Sequence, residues 1–132
     1  MPARILIAED HPSSRELLVY LLEAAGYVVH SVDDGAAALQ AIREIKPNLV
    51  ICDLQMPELD GYGVLRALRA DPDFASLPVL AVTAFSMLGD RETVMSAGFT
   101  AYFSKPIDPE TFVDEMASHL PAHLLGTRPN SQ

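Results

Sequence analysis

Apolar residues in this chain fall into five short runs: Arg4 to Ala8, Tyr27 to Val32, Leu49 to Cys52, Leu77 to Thr83 and Thr100 to Ser104. Short runs rich in β-branched residues predict strands, and unbroken ones predict strands covered on both faces. Tyr27 to Val32 is the weakest run and is expected nearer an edge. The segments between them carry helical spacing. Leu17, Leu18, Leu21, Leu22 and Ala25 predict a first helix, capped by Ser13 or Ser14 and closed by Gly26. Ala36 to Lys46 predicts a second, with Leu39, Ile42 and Ile45 inward, Asp33 or Asp34 as cap and Pro47 as stop. Asp60 caps a third that carries Val64, Leu65 and Leu68 and ends near Asp71-Pro72. A fourth spans Ser86 to Ala97 and stops at Gly98. Asp108-Pro109-Glu110 opens the last, with proline at its first position and Phe112 and Met116 inward. Strands alternating with helices predict an α/β fold, a doubly wound parallel sheet with helices on both faces.

Composition narrows the class. At 132 residues the chain suits one domain with one core. Residues 1–120 are read as that domain. Residues 121–132, rich in Pro, Gly, Thr, Asn and Ser, are read as a tail or linker. The chain is 49% apolar and 20% charged, a globular balance. A net charge of −9 argues against direct contact with nucleic acid. No apolar run reaches the roughly 18 residues of a membrane span. Met1-Pro2-Ala3-Arg4 lacks a signal-peptide layout, so a cytoplasmic setting is expected. Cys52 is the single cysteine and reads as a small buried hydrophobe.

One position resists a packing explanation. Four apolar residues, Leu49 to Cys52, lead straight into Asp53, and an ionised carboxylate avoids apolar surroundings unless it is paired or binds a cation. Asp53 is therefore expected at the carboxyl end of a central strand, half in a crevice. Parallel sheets gather their sites at that edge. The other strands deliver Glu9 and Asp10, Thr83 and Lys105 to the same edge. Singly these are weak signals. Glu9 and Asp10 serve equally well as acids at a helix start, Thr83 as a strand-end hydroxyl, and Lys105 as a solvated lysine. Together they make a site. Oxygen-only ligands with no His or Cys favour magnesium or manganese over zinc. An ammonium and a hydroxyl can contact a phosphoryl group. The set suits transfer of a phosphoryl group onto Asp53, since aspartate can form an aspartyl-phosphate. His11, beside the acids, could influence the metal site, but it reads better as a solvent-exposed loop histidine. His30, His119 and His123 share no ligand spacing.

At these residues the chain resembles the receiver domain of two-component response regulators. The pieces are Ala8-Glu9-Asp10, Asp53-Leu54-Gln55-Met56-Pro57, Asp60-Gly61, Val82-Thr83-Ala84, Gly89-Asp90, Ala97-Gly98 and Lys105-Pro106-Ile107. The match covers roughly residues 4 to 120, and the order and spacing of these pieces are highly specific. The run from Ala81 to Phe112 looks most like single-domain regulators and receivers attached to hybrid kinases. The resemblance implies a flavodoxin-like (βα)5 sheet in order 2-1-3-4-5. It implies that Asp53 takes its phosphoryl group from a phosphohistidine on a sensor histidine kinase or a histidine phosphotransfer protein. It matches Asp10 to a direct Mg2+ ligand, Glu9 to one acting through water, and the backbone carbonyl of Gln55 to the third protein ligand. Lys105 matches the phosphoryl-contacting lysine, with a cis peptide before Pro106. Thr83 and Tyr102 match a switch pair that alters the face built from helix four, strand five and helix five. A downstream protein effector would read that face, and a homodimer could form through it. Phe85 matches a position governing water access, which implies slow self-dephosphorylation.

Three other readings compete. A haloacid-dehalogenase-type phosphatase also uses an aspartyl-phosphate, but it wants an acid two residues after the nucleophile, where this chain has Gln55. A flavin-binding flavodoxin-like protein needs a Ser/Thr/Gly-rich loop after strand one, where Glu9-Asp10 would repel phosphate. A receiver acting unphosphorylated as an interaction module would not need the complete acid set. The chain is read as a phosphoacceptor signalling domain and not an enzyme, whether stand-alone or cut from a longer protein.

Overall fold

The computed structural model describes residues 3–56, 58–84, 90–121 and 124. The five apolar runs form β1 (Arg4–Ala8), β2 (Val28–Val32), β3 (Leu49–Asp53), β4 (Val79–Thr83) and β5 (Ala101–Ser104). They alternate with α1 (Pro12–Ala24), α2 (Gly35–Ile45), α3 (Gly61–Ala70), α4 (Asp90–Ala97) and α5 (Phe112–Ala117). All strand pairs are parallel, in the order β2-β1-β3-β4-β5. This is the flavodoxin-like order expected from the resemblance.

Burial accounts for the order. β3 and β4 are buried at every position, and β1 at every position but Arg4. β2 has no fully buried residue and lies at an edge, as its weak pattern predicts. Successive side chains on a strand point to opposite faces, and each face has its own core. Ile5, Ile7, Ile51 and Val82 pack with Leu18 and Leu22 of α1 and Phe112 and Met116 of α5. Leu6, Val50, Cys52 and Ala81 pack with Ile42 of α2, Val64 and Leu68 of α3 and Val94 of α4. The first helix buries less than its spacing implies: Leu17 and Tyr20 stand on its exposed side.

Several caps fall where the residue types ask for them. Asp34 Oδ1 accepts the Ala37 amide at 2.7 Å and Asp60 Oδ1 accepts the Gly63 amide at 2.9 Å. Gly26 (φ 95°) and Gly98 (φ 111°) take the left-handed conformation that ends α1 and α4. Two helix starts differ from expectation. α1 begins at Pro12, one residue before the serines, and His11 is its N-cap without a side-chain cap bond. Proline's fixed φ and missing donor suit the first helical position, which places the serines inside the first turn and not at its cap. Regular α5 begins at Phe112, after the expected opening at Asp108. Asp108 Oδ1 accepts the Glu110 amide at 2.9 Å, a local turn that competes with helix at that point. Leu124, in the stretch read as a tail, accepts the Ala3 amide at 2.8 Å and packs on the α1–α5 core. The expected start of helix four at Ser86, together with Pro57, Phe85, Gly89 and His123, lies outside the described residues. Among the described residues no helix is long and apolar enough to cross a membrane.

The chain leaving β3 doubles back over its own end. The Gly61 amide donates to Leu54 O at 3.1 Å, and a Cβ on Gly61 would lie 2.6 Å from Asp53 O. Backbone cannot yield there as a flexible side chain would. Gly61→Ala is therefore expected to lower stability by about 1–3 kcal/mol, as overpacking does. An unchanged urea-unfolding midpoint would contradict this close approach.

Candidate functional site

The ends of four strands meet at one edge of the sheet. Pairing of Ala8 with Cys52 sets Glu9 beside Asp53, and the Glu9 amide holds on to Val32 O at 3.0 Å. Asp53 closes β3 and Thr83 closes β4, the latter 1% exposed. The Lys105 amide donates to Thr83 O at 2.8 Å, which carries the β4–β5 ladder one residue past Ser104. The Lys105-Pro106 peptide is cis, as expected.

Lys105 reaches back across this edge. Its Nζ lies 2.8 Å from Glu9 Oε1 and 3.0 Å from Asp53 Oδ2. Asp53 Oδ1 accepts the Gln55 amide at 3.0 Å, and Glu9 Oε2 accepts the His11 amide at 3.1 Å. Asp53 is 4% exposed, more enclosed than a residue half in a crevice. The Asp10 side chain is 30% exposed, so the site is buried at its floor and open on the Asp10 side. Glu9, Asp10, His11 and Asp53 each offer a ligand atom, and these atoms all lie within 4.8 Å of one another.

The strand ends therefore bring together Glu9, Asp10, Asp53 and Lys105, with Gln55 held to Asp53 through its amide. Thr83 and Tyr102 lie on the same face of the sheet. Tyr102 pairs with Ala81 across β4 and β5, and Thr83 is two residues beyond Ala81. Tyr102 is partly buried against the α2–α3–α4 core. His30 is exposed, and neither it nor His119 joins the acidic cluster. His11, expected to be an exposed loop residue able to influence the site, is both exposed and close to the acids, whereas Arg15 has no place in the sequence reading. His11 Nδ1 lies 3.3 Å from Asp10 Oδ1 and 3.6 Å from Glu9 Oε2, though its side chain is 69% exposed. Arg15 donates from Nη1 to Glu9 O at 3.0 Å and ties α1 to the end of β1. Adjacency to the acidic pair was the available signal for His11. For Arg15 none existed, since a basic residue in a first turn has no special spacing.

Electrostatics set the character of the site. Burial, and then the neighbouring Asp53 carboxylate, push the Glu9 carboxyl above its ordinary value; Lys105 and the His11 amide oppose this without prevailing. Burial alone would lower the Lys105 ammonium, but contacts with Glu9 and Asp53 outweigh it and hold the group above its ordinary value. Burial, and then the Asp53 charge, drive the Cys52 thiol far above the ordinary range, so it is inert packing. Three carboxylates thus face one ammonium. Glu9 Oε1 rests on its charge contact with Lys105 and has no aligned hydrogen bond among the described residues. A buried acceptor with spare capacity, amid oxygen donors and excess negative charge, fits a hard divalent cation.

The Glu9 shift has a measurable consequence in metal-free protein. Its folded pKa is raised, so the native state holds a proton that the unfolded chain releases. The stabilisation this gives is fully present below the ordinary 4.5 and is lost as pH climbs through the folded value. Glu9→Gln is expected to flatten that fall in a pH series of urea-unfolding curves with chelator present. Parallel wild-type and variant profiles would contradict it.

Comparison with known proteins agrees with this geometry. Residues 5–117 match the response regulator receiver domain. The polar-differentiation response regulator DivK of Brucella anthropi is 39% identical over 120 residues, which cover 91% of this chain and 98% of that protein. A response regulator structure from Chloroflexus aurantiacus superposes with a TM-score of 0.86 at 32% identity, covering 90% of this chain and 98% of that one. The receiver domain of a Pseudomonas aeruginosa sensor histidine kinase, solved with magnesium coordinated in its active-site cleft, gives 0.81 at 30% identity, covering 89% and 97%. With the parallel sheet in order 2-1-3-4-5 and acids and lysine joined at its carboxyl edge, this chain belongs to the response regulator receiver domain family of two-component systems.

Proposed function

We propose that Asp53 is the phosphoacceptor of this receiver domain and takes its phosphoryl group from a phosphohistidine on a sensor histidine kinase or histidine phosphotransfer protein. A carboxylate oxygen of Asp53 attacks phosphorus, and the bond from phosphorus to the donor imidazole nitrogen breaks. The electron pair leaves with that nitrogen, and Asp53 becomes an acyl phosphate. One observation carries the reading: the Lys105 ammonium stands 3.0 Å from Asp53 and 2.8 Å from Glu9, two buried acids from different strands. Placed there, the ammonium can pair with the phosphoryl oxygens as their charge develops.

Glu9, Asp10, Asp53 and the Gln55 carbonyl would hold Mg2+ or Mn2+, with Asp10 as a direct ligand and Glu9 acting through water. The ion, when bound, would neutralise charge on the phosphoryl oxygens. The Gln55 amide and Lys105 orient the Asp53 carboxylate before transfer.

Phosphorylation adds nearly two negative charges and three acceptor oxygens. In this reading the Thr83 hydroxyl moves toward them, Tyr102 turns inward, and the α4–β5–α5 face changes for a downstream protein effector. Residues 1–120 form the receiver, 121–132 a tail or linker, and the setting is cytoplasmic. Any catalysis is limited to Mg2+-dependent self-phosphorylation from small donors and self-dephosphorylation. The phosphatase alternative lacks its second acid, because Gln55 stands there. Incubation with a labelled small phosphodonor and Mg2+ tests the proposal. Acid-labile label at Asp53, also released by base as an acyl phosphate requires, is expected, and label on any other residue would refute it.

A further inference from the structure

We propose that His11 is an additional protein ligand of the cation site and tunes which divalent ion it holds, admitting borderline transition ions that three carboxylates alone would not favour. This rests on the metal-site reading above and extends it from the class of ion to its selectivity. Ligands adjacent to one another on an octahedral ion, each about 2.1 Å from it, lie about 3 Å apart. His11 Nδ1 lies 3.3 Å from Oδ1 of Asp10, the direct ligand, close to that spacing, and 3.6 Å from Oε2 of Glu9, which acts through water. The four candidate ligand atoms of Glu9, Asp10, His11 and Asp53 are mutually within 4.8 Å.

Two features of the chain deliver the imidazole there. The His11 amide is fixed to Glu9 Oε2 at 3.1 Å, and Pro12 starts α1 immediately after it. The backbone beside the acids is therefore held, and the 69% exposed side chain already sets its Nδ1 beside Asp10 at the open rim of the site. All-oxygen sites suit magnesium and manganese, whereas imidazole suits later first-row metals, whose affinities rise along the series. One nitrogen donor added to a carboxylate set shifts the balance in their direction. A simple hydrogen bond between His11 and Asp10 is the competing account of the 3.3 Å contact, and it predicts no metal preference.

Calorimetric titration of the full chain with Co2+ and with Mg2+ separates the two. His11→Ala keeps the backbone amide that Glu9 accepts. The ratio of Co2+ to Mg2+ affinity is expected to fall at least about tenfold in this variant, because the lost imidazole nitrogen is a donor that Co2+ prefers and Mg2+ does not. Circular dichroism checks that the variant is folded. In the wild type, Co2+ is also expected to shift the His11 ring protons paramagnetically more than those of His30. A ratio that falls by less than tenfold, or His11 protons unmoved by Co2+, overturns the proposal. Mg2+ binding to the wild type in that case leaves the metal-site reading standing, whereas no binding of either ion overturns both.

Discussion

Asp53→Ala is expected to take no label from a small phosphodonor while keeping its fold. The chemistry requires an oxygen nucleophile at the floor of the acidic site, and alanine supplies none. Glu9 is buried beside it but cannot substitute: burial, the largest cause, still pushes its carboxyl toward the protonated form, and Lys105 occupies Oε1. Asp10 is close to solvent, yet Lys105 contacts Glu9 and Asp53 and not Asp10 among its ion pairs. The fold should tolerate the change because two effects oppose each other. Lys105 loses one of its two carboxylates, and the Gln55 amide loses its acceptor. In return the Glu9–Asp53 repulsion disappears. A net change within about 1–2 kcal/mol follows, the usual range for a single substitution. Wild-type levels of label on folded Asp53→Ala protein would dismantle the assignment, whatever the homology.

Lys105→Ala should strike stability as well as phosphorylation. Removing one partner of a buried ion pair typically costs about 3–5 kcal/mol, because the other charge is left uncompensated. Here two carboxylates, 1% and 4% exposed, would face each other without a counter-ion. The protein has two ways to relieve that. Glu9 can take up a proton, to which burial already predisposes it, or a divalent ion can enter. The loss is therefore expected to be about 3 kcal/mol at pH 8 in chelator, at the low end of that range. It should shrink at pH 5 and shrink again with added Mg2+. The direction with pH follows from linkage: the variant's native state binds protons that its unfolded state has released, so stability drops as pH rises. Urea unfolding at both pH values, with and without Mg2+, measures this. A variant as stable as the wild type at pH 8 in chelator would mean that the Lys105 contacts carry no electrostatic weight.

Much of this architecture was written along the chain. Unbroken apolar runs at β3 and β4 demanded two covered faces, and the structure covers both. Asp60 and Asp34 announced their helices because capping depends on residues three apart, a local geometry. The starts of α1 and α5 were less legible because competing local signals, Pro12 against the serines and the Asp108 turn against Pro109, differ little in energy. His11 reads as an exposed loop histidine able to influence the metal site, because adjacency to the acids is its one signal in the sequence. Its relation to Asp10 and Glu9 depends on how the loop closes over the strand end.

Local pattern determined the elements, their alternation, and which residues stand at the strand ends, because burial and capping act over a few neighbouring positions. Only folding decided that Lys105 crosses from the last strand to touch Glu9 and Asp53, residues 96 and 52 positions earlier by their numbers (105 − 9 and 105 − 53). It also decided that α1 and α5 share one core while α2, α3 and α4 share the other. Those outcomes depend on strand order and register, and pairings between distant segments leave no trace in the spacing of either one.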